Sequence, residues 1–194
     1  MGRKRDQKIF WYDLETTGLD PVDCAITNLA ALIEINGEVE DSVQINMAPF
    51  PGALIEDSAL RIGHVTYDMI MDYPPVDEGM ADLITLITNH ISFSNREDCL
   101  VLAGYNIMSF DNIFLRNYFD YMNWGKDFPK CFFSAPLDVF AFVAERITKG
   151  LRLKNYRLGT VCEHFGIKFD AHQAIEDVTA TRELYLKLSG KIKE

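Results

Sequence analysis

The sequence predicts an α/β protein with a mixed sheet flanked by helices. Three stretches rich in β-branched and aromatic residues come first, and a short apolar run of the buried-strand kind follows later. Between and after these stretches, apolar residues recur with the period of an α-helix. Strands that alternate with helices form a sheet covered by those helices. The 194 residues, 48% of them hydrophobic, suffice for one domain. We expect it over residues 8–190, after a basic tail at residues 1–7.

The order of the predicted elements follows from the turn signals along the chain. The first strand carries the letters KIFWYDLE and ends before a turn marked by Gly18 and Pro21. The pair Asn36-Gly37 is a strong hairpin signal between the next two strands. Predicted strands cover residues 8–15, 26–35, 39–47 and 99–103. Predicted helices cover residues 76–92, 109–121, 137–148, 156–165 and 174–188; predicted loops cover 49–63, with at most a short helix, and 124–136.

Charge and cysteine content limit the class of protein. The net charge of −10 excludes a uniformly basic surface for duplex DNA. It does not exclude a site where carboxylates hold metal ions, because the ions then supply the positive charge. The four cysteines include no C-x-x-C pair, so we expect reduced thiols rather than a zinc site or disulfides. No secretory signal and no apolar run long enough to span a membrane is present. We therefore expect a cytoplasmic protein without membrane contact.

Two acidic residues in the first predicted strand are the first sign of chemistry. Asp13 and Glu15 are two apart and therefore project from the same face of a strand, where acidic residues are usually avoided. The two carboxylates repel each other unless a cation lies between them, and Mg²⁺ prefers such oxygen ligands. The alternative is that the strand ends at Tyr12 and both acids are solvated.

Two later segments carry further acids and a histidine. Asp111 lies at a predicted strand-to-helix corner, where open α/β sheets place ligand-binding groups; complementing the helix dipole is an ordinary alternative role. His172 and Asp177 are five apart, so they are not neighbours on one helix face. With His172 on the entering loop and Asp177 within the helix, both can reach one cleft. Together the three segments contain what two-metal phosphodiester hydrolysis needs: carboxylates for two divalent ions and a neutral histidine to accept the proton of the attacking water.

The three segments resemble the motifs of the DEDDh, or DnaQ-like, 3′→5′ exonucleases. YDLETTGLD matches the D-x-E-T-T-G form of the first motif, GYNIMSFDNIFLRNYF resembles the second, and AHQAIEDVTAT has the H-x₄-D spacing of the histidine subfamily. The likeness spans residues 8–188. Within the family, the chain is similar to the exonuclease domain of bacterial exonuclease I. That similarity is carried by Gly104-Tyr105-Asn106, Phe110-Asp111, Arg116-Asn117, Leu137-Asp138-Val139 and Tyr156-Arg157-Leu158.

The resemblance implies an RNase H-like fold with a mixed five-stranded sheet. It implies His172 as general base and two Mg²⁺ ions, replaceable by Mn²⁺, held by Asp13, Glu15, Asp111 and Asp177. Residues 63–66, GHVT, correspond to a family loop that packs on the terminal nucleotide, with a histidine where glycine is usual. Substrate contacts are expected from Leu14, Thr16, Thr17, His64, Val65, Asn106, Phe110 and Arg157.

The implied activity is release of nucleoside 5′-monophosphates from the 3′ end of single-stranded DNA. An exoribonuclease of the RNA-trimming or oligoribonuclease type is the alternative, because sugar preference depends on contacts near the 2′ position that the sequence does not display. A catalytically inactive binding module would usually lack an acidic ligand, and none is missing from the motifs. The sequence leaves open a polymerase or repair partner and the oligomeric state, a homodimer included.

Two further features of the sequence each allow two interpretations. Residues 146–157, RITKGLRLKNYR, carry five basic residues and no acidic one. They are candidates for phosphate contacts, with Tyr156 for base stacking, or a solvated connection between helices. Asp138 either caps a predicted helix or supports the site. Trp11 is expected in the core.

Overall fold

The computed structural model describes residues 5–168 and 173–191, in which five strands form one mixed sheet. The strands are β1 (Lys8–Thr16), β2 (Ile26–Ile35), β3 (Glu38–Asn46), β4 (Val101–Gly104) and β5 (Leu137–Asp138). Their order across the sheet is β3-β2-β1-β4-β5. The β1–β2 and β2–β3 pairs are antiparallel, and the β1–β4 and β4–β5 pairs are parallel. The expected α/β architecture with a mixed five-stranded sheet is confirmed.

Helices cover both faces of this sheet. They are α1 (Asp57–Ile62), α2 (Tyr67–Met71), α3 (Val76–His90), α4 (Asp111–Tyr121), α5 (Phe128–Cys131), α6 (Val139–Thr148), α7 (Leu158–His164) and α8 (Ala174–Leu188). A 3₁₀ turn at Ile107–Ser109 precedes α4. Within the described ranges, no helix combines the length and the apolar character needed to cross a membrane.

Alternation along β1 divides the core between the two faces of the sheet. Phe10 and Tyr12 are buried on one face, in a cluster that includes residues of α3 and α4. Ile9 and Trp11 are buried on the other face with residues of α6 and α8, which confirms the predicted core position of Trp11. The strand is fully buried from Ile9 to Tyr12, and three of the next four residues, Asp13, Glu15 and Thr16, are only partly buried. The C-terminal end of β1 is therefore where the central strand can present side chains to a ligand.

Short elements account for the main departures from the predicted secondary structure. The helix predicted over residues 137–148 is wrong at its start, because Leu137 pairs with Ala103 as part of β5 and α6 begins only afterwards. The loop predicted over residues 124–136 contains α5, and α2 was not predicted at all. The short helix allowed within residues 49–63 is α1. Elements this short are too brief to show a hydrophobic periodicity in the sequence, and tertiary contacts determine their secondary structure.

A buried ion pair ties α8 to the sheet. Glu34 on β2 is 1% exposed. Its Oε2 atom accepts hydrogen bonds from Arg182 Nε at 2.6 Å and from Trp11 Nε1 at 3.0 Å. Arg182 also donates to the carbonyl oxygen of Gly37 at 2.8 Å. The guanidinium thus compensates a carboxylate that has been removed from water.

Replacing Arg182 with methionine is expected to lower the free energy of unfolding by about 3 kcal/mol, because it leaves the buried Glu34 charge without its cation. Denaturant unfolding measures the loss. The control is Lys149→Met, which breaks the solvent-exposed pair with Glu145 and should barely shift the midpoint. Equal losses of unfolding free energy in the two variants would show that the burial of Glu34 does not determine the destabilisation.

Candidate active site

The C-terminal end of β1 places two carboxylates on one face. Asp13 is paired with Ala30 and Glu15 with Asn28 in the β1–β2 ladder, so the strand continues past Tyr12. The alternative in which both acids follow the strand is therefore wrong. The register shifts between Glu15 and the next residue, which ends the regular pairing there. Both carboxylates are half-buried and point away from the core face that Leu14 occupies.

The turn after β4 brings Asp111 to the same end of the sheet. Gly104 ends β4, and a Cβ atom at this position would lie 2.7 Å from the carbonyl oxygen of Tyr12, so the close approach of the two strands requires glycine. Asp111 opens α4 and is 5% exposed. Its Oδ1 atom accepts a hydrogen bond from the Leu14 backbone N–H at 3.1 Å. This contact fixes Asp111 against the strand that carries the first two acids.

Asp138 holds the connection between β4 and α4 in place. Its Oδ1 atom accepts hydrogen bonds from the backbone N–H groups of Asn106 and Phe140, both at 2.9 Å. Its Oδ2 atom accepts another from the Met108 N–H at 3.1 Å. Asn106 has a left-handed backbone with φ of 61°, which such tethering stabilises. The carboxylate therefore caps α6 and supports the Asp111 turn at once, so both interpretations from the sequence hold.

The third segment contributes Asp177 from the first turn of α8. This residue lines a cleft of about 510 Å³ together with Asp13 and Glu15; we call it the carboxylate cleft. A second cleft of about 550 Å³ adjoins it through Asp13 and includes Asp111. Asp13, Glu15 and Asp177 thus line one cleft and Asp111 lines the adjoining one, whereas His172 lies outside the described residues.

Burial and mutual repulsion perturb these acids. Burial is the main reason that the pKa of Asp13 lies well above its usual range. The negative charges of Asp111, Glu15 and Asp177 raise this pKa further. Burial raises the pKa of Glu15 to about 6, with a further increase from Asp177. Burial also raises the pKa of Asp111 to about 7, although hydrogen bonds from backbone N–H groups, including that of Leu14, oppose the increase. Without a cation, several negative charges in this cleft are therefore unfavourable.

The donor set fits a hard divalent cation in its chemistry. The candidate ligands are all carboxylates, the type that Mg²⁺ and Mn²⁺ prefer, and a bound cation would offset the burial and repulsion that raise the pKa of Asp13, Glu15 and Asp111. Over residues 5–168 and 173–191, no three Asp, Glu, His or Cys side chains are already close enough to hold an ion together. An ion bound there would offset the repulsion between the carboxylates and draw them closer together.

The basic segment at residues 146–157 divides into two groups. Lys154 and Arg157 are exposed and line the carboxylate cleft. Arg152 instead donates to the carbonyl oxygens of Ile147 and Leu151. Lys149 forms a 2.6 Å ion pair with Glu145. Lys154 and Arg157 are therefore positioned for phosphate contacts at this cleft, whereas Lys149 and Arg152 stabilise the helix–loop connection. Arg146 donates to the carbonyl oxygen of Leu188 at the end of α8, at 3.3 Å.

Most of the expected substrate contacts surround the acids. Leu14, Asn106, Phe110 and Arg157 line the second cleft. Tyr105 lines both clefts, and its hydroxyl donates to the carbonyl oxygen of Tyr156. The sequence motif contained Tyr105, but nothing in the residue type indicated that it would line the cleft wall.

The residues 63–66 border a smaller pocket on the other side of Glu15. Val65 and Thr16 line this pocket, whose volume is about 240 Å³. His64 has a φ of 53°, the left-handed conformation that favours glycine, and its charge lowers the pKa of Glu15. Thr17, by contrast, is fully buried: its hydroxyl donates to the carbonyl oxygen of Leu54 and accepts from the Ala25 N–H. The side chain of Thr17 thus serves the turn, and its position does not support a substrate contact.

Most of the chain matches the model of a known protein family. The RNase_T model, described as exonuclease, matches residues 10–185. This chain belongs to the RNase_T exonuclease family. The match includes every described acid of the cleft, and it confirms the exonuclease family that the sequence motifs indicated.

Relatives in this family differ greatly in size. The PolC-type DNA polymerase III of Oceanobacillus iheyensis is 30% identical over 184 residues, covering 94% of this chain but 11% of that protein. The DNA polymerase III subunit epsilon of Aquifex aeolicus is 23% identical over 180 residues, covering 91% of this chain and 77% of the subunit. Ribonuclease T of Hahella chejuensis is 27% identical over 191 residues, covering 94% of this chain and 83% of that enzyme.

Solved structures share the fold. The chain superposes on E. coli exonuclease I in complex with a dA16 oligonucleotide with a TM-score of 0.71 and 21% identity, covering 96% of this chain and 41% of that one. A zinc-bound form of the same enzyme with single-stranded DNA gives a TM-score of 0.70. The expected RNase H-like fold is thereby confirmed. The chain spans less than half of exonuclease I and about a tenth of the PolC-type polymerases.

Proposed function

We propose that this chain is a metal-dependent 3′→5′ exonuclease that removes nucleoside 5′-monophosphates from the end of single-stranded DNA. The observation that carries the proposal is the convergence of acids from β1, α4 and α8 on adjoining clefts, where burial and neighbouring carboxylates raise the pKa of Asp13. A purely structural role would not require so many carboxylates at one strand end. Asp13, Glu15, Asp111 and Asp177 are the proposed ligands of two Mg²⁺ ions, with Mn²⁺ as substitute.

In the proposed reaction, the last phosphodiester lies over the carboxylate cleft. Asp13, Glu15, Asp111 and Asp177 would hold divalent ions there, which would supply positive charge at the phosphate and favour ionisation of the attacking water. His172 accepts the proton of that water. The water oxygen bonds to phosphorus, and the bond from phosphorus to the 3′ oxygen of the preceding nucleotide breaks. That oxygen takes up a proton and becomes the new 3′ end. Lys154 and Arg157 orient the phosphate, and Leu14, Phe110 and Val65 provide apolar contacts.

Likeness to exonuclease I, which has been crystallised with single-stranded DNA, favours DNA. Likeness to Ribonuclease T supports the second candidate, a 3′→5′ exoribonuclease on the same cleft. The polymerase III relatives support a polymerase or repair partner. Four free cysteines, three of them buried, support the proposal of a reducing, cytoplasmic compartment.

Single-stranded DNA should be degraded faster than blunt duplex, because unpairing the end costs a few kcal/mol before the strand can reach the cleft. The assay uses 5′-labelled single-stranded DNA, single-stranded RNA and blunt duplex DNA, each with Mg²⁺, Mn²⁺ or EDTA. A ladder shortening from the 3′ end only with metal is the expected result. Faster loss of blunt duplex at equal ends and salt contradicts the proposal, and faster loss of RNA favours the exoribonuclease.

A further inference from the structure

A separate groove, distinct from the carboxylate cleft and the second cleft, lies between α4, α5 and the segment that follows α5. Its volume is about 500 Å³, and its lining includes Arg96, Cys99, Met108, Arg116 and Phe133. We call it the α4 groove. None of the residues assigned to the proposed reaction lines it.

The charge of the α4 groove is opposite to that of the protein. Two arginines and no acidic residue line it, although the chain carries a net charge of −10. A third guanidinium lies at its edge, since Arg5 Nη2 is 3.5 Å from the Cys99 sulfur. On an acidic protein, such a surface favours a polyanion over a neutral or basic peptide.

The apolar surfaces of the groove suit bases. Met108 is 61%, Ile113 43% and Phe133 48% exposed, so large apolar side chains face solvent without cover from the described chain. The Arg116 guanidinium lies 4.3 Å from the centre of the Phe128 ring, which holds the charge flat at the surface. Aromatic and apolar faces interspersed with cations bind single strands by stacking and phosphate attraction, independently of sequence.

The groove also continues from the proposed active site. Met108 and Asn112, which line the groove, flank Phe110 and Asp111, which line the second cleft. The Tyr12 hydroxyl donates a hydrogen bond to Asn112 Oδ1, which holds the start of α4 against β1. The second cleft and the α4 groove are therefore lined by neighbouring residues at the start of α4.

We propose that the α4 groove binds the nucleotides that precede the scissile bond, with phosphates at Arg96 and Arg116 and bases against Met108 and Phe133. The inference rests on the proposed exonuclease function and adds the binding site for the body of the strand. It makes affinity depend on length: a trinucleotide engages the cleft alone, whereas a longer strand engages both.

Cys99 offers a test that does not require turnover. It lines the groove and is half-buried, whereas Cys24, Cys131 and Cys162 are buried, so iodoacetamide should alkylate it first. A thymidine 12-mer with slowly cleaved phosphorothioate 3′ linkages should slow this alkylation about tenfold at nine-tenths occupancy. A trinucleotide at equal occupancy should not. Unchanged alkylation with the bound 12-mer overturns the proposal.

A charge variant tests the energetics. Arg96→Gln should raise KM for the 12-mer about fivefold to tenfold and lower the slope of log affinity against log salt by about 0.7, the loss of one phosphate contact on a single strand. KM for the trinucleotide should stay within about twofold of wild type. The matched control, Lys149→Gln, removes one charge away from the groove and should behave as wild type on both substrates.

Phe133→Ala should weaken binding of the 12-mer without changing the salt slope, because stacking releases no counterions. Equal effects of Arg96→Gln on both lengths, or no effect on either, overturn the groove assignment and leave a protein partner as the remaining occupant. Absence of cleavage by the wild-type protein on every substrate would instead reject the proposed function, and the alkylation result would still decide whether the groove binds a strand.

Discussion

Replacing Asp13 with asparagine is expected to abolish exonuclease activity while leaving the protein folded. Asp13 is the acid shared by both clefts, so its loss removes charge from the centre of the proposed metal site. Changes in residues behind metal ligands already cost about 10–100-fold in affinity or activity, so loss of a direct ligand should exceed about 100-fold. Cleavage of labelled single strands, together with Mg²⁺ titration by calorimetry, measures both effects. Near-normal metal affinity in Asp13→Asn would remove Asp13 from the ligand set.

The same substitution should stabilise the metal-free protein. Asp13, Glu15 and Asp111 have raised pKa values in the folded state, so the folded protein holds protons more tightly than the unfolded chain, whose acids titrate near about 4. The stability that these acids contribute to the metal-free protein should therefore be greatest below about pH 4, fall as pH rises, and be lost once pH passes the folded pKa values of about 6 and about 7. Asp13→Asn should flatten this dependence, and Mg²⁺ should reduce it in wild type. Thermal unfolding at several pH values, with and without EDTA, provides the control. A wild-type melting temperature independent of pH argues against the repulsion.

Replacing His172 with alanine is expected to lower turnover by about 10²–10⁴-fold, the usual contribution of a positioned acid–base group. Mg²⁺ affinity and KM should stay nearly unchanged, because His172 is proposed as a base and not as a ligand. This separates it from the carboxylates, whose loss should weaken metal binding itself. The wild-type rate should rise with pH between about 6 and 8, because the imidazole must be neutral to accept a proton.

Two other histidines serve as comparisons for that result. His64 lies beside Glu15 and lowers its pKa, whereas His164 ends α7 and packs against Phe165. His164→Ala should therefore leave activity intact. Full activity of His172→Ala at neutral pH would refute the assignment and turn attention to His64, or to a metal-bound hydroxide acting without a protein base.

Local patterns in the sequence determined those features that depend on the backbone alone. Strand periodicity placed Asp13 and Glu15 on one face, and the Asn36-Gly37 turn joined β2 to β3, because side-chain direction and turn type follow from neighbouring residues. The three motifs likewise identified the family, since their spacing along the chain is itself the signal.

Tertiary structure decided everything that depends on residues distant in sequence. β5 has two residues and exists only because β4 lies beside it. Asp138 could not be assigned from its helix start, since two of its three partners precede it by some thirty positions. Within the basic segment at residues 146–157, Lys154 lines the carboxylate cleft, whereas Arg152 donates to nearby carbonyl oxygens. Composition cannot separate such neighbours, because their roles are set by which surface each side chain reaches after folding.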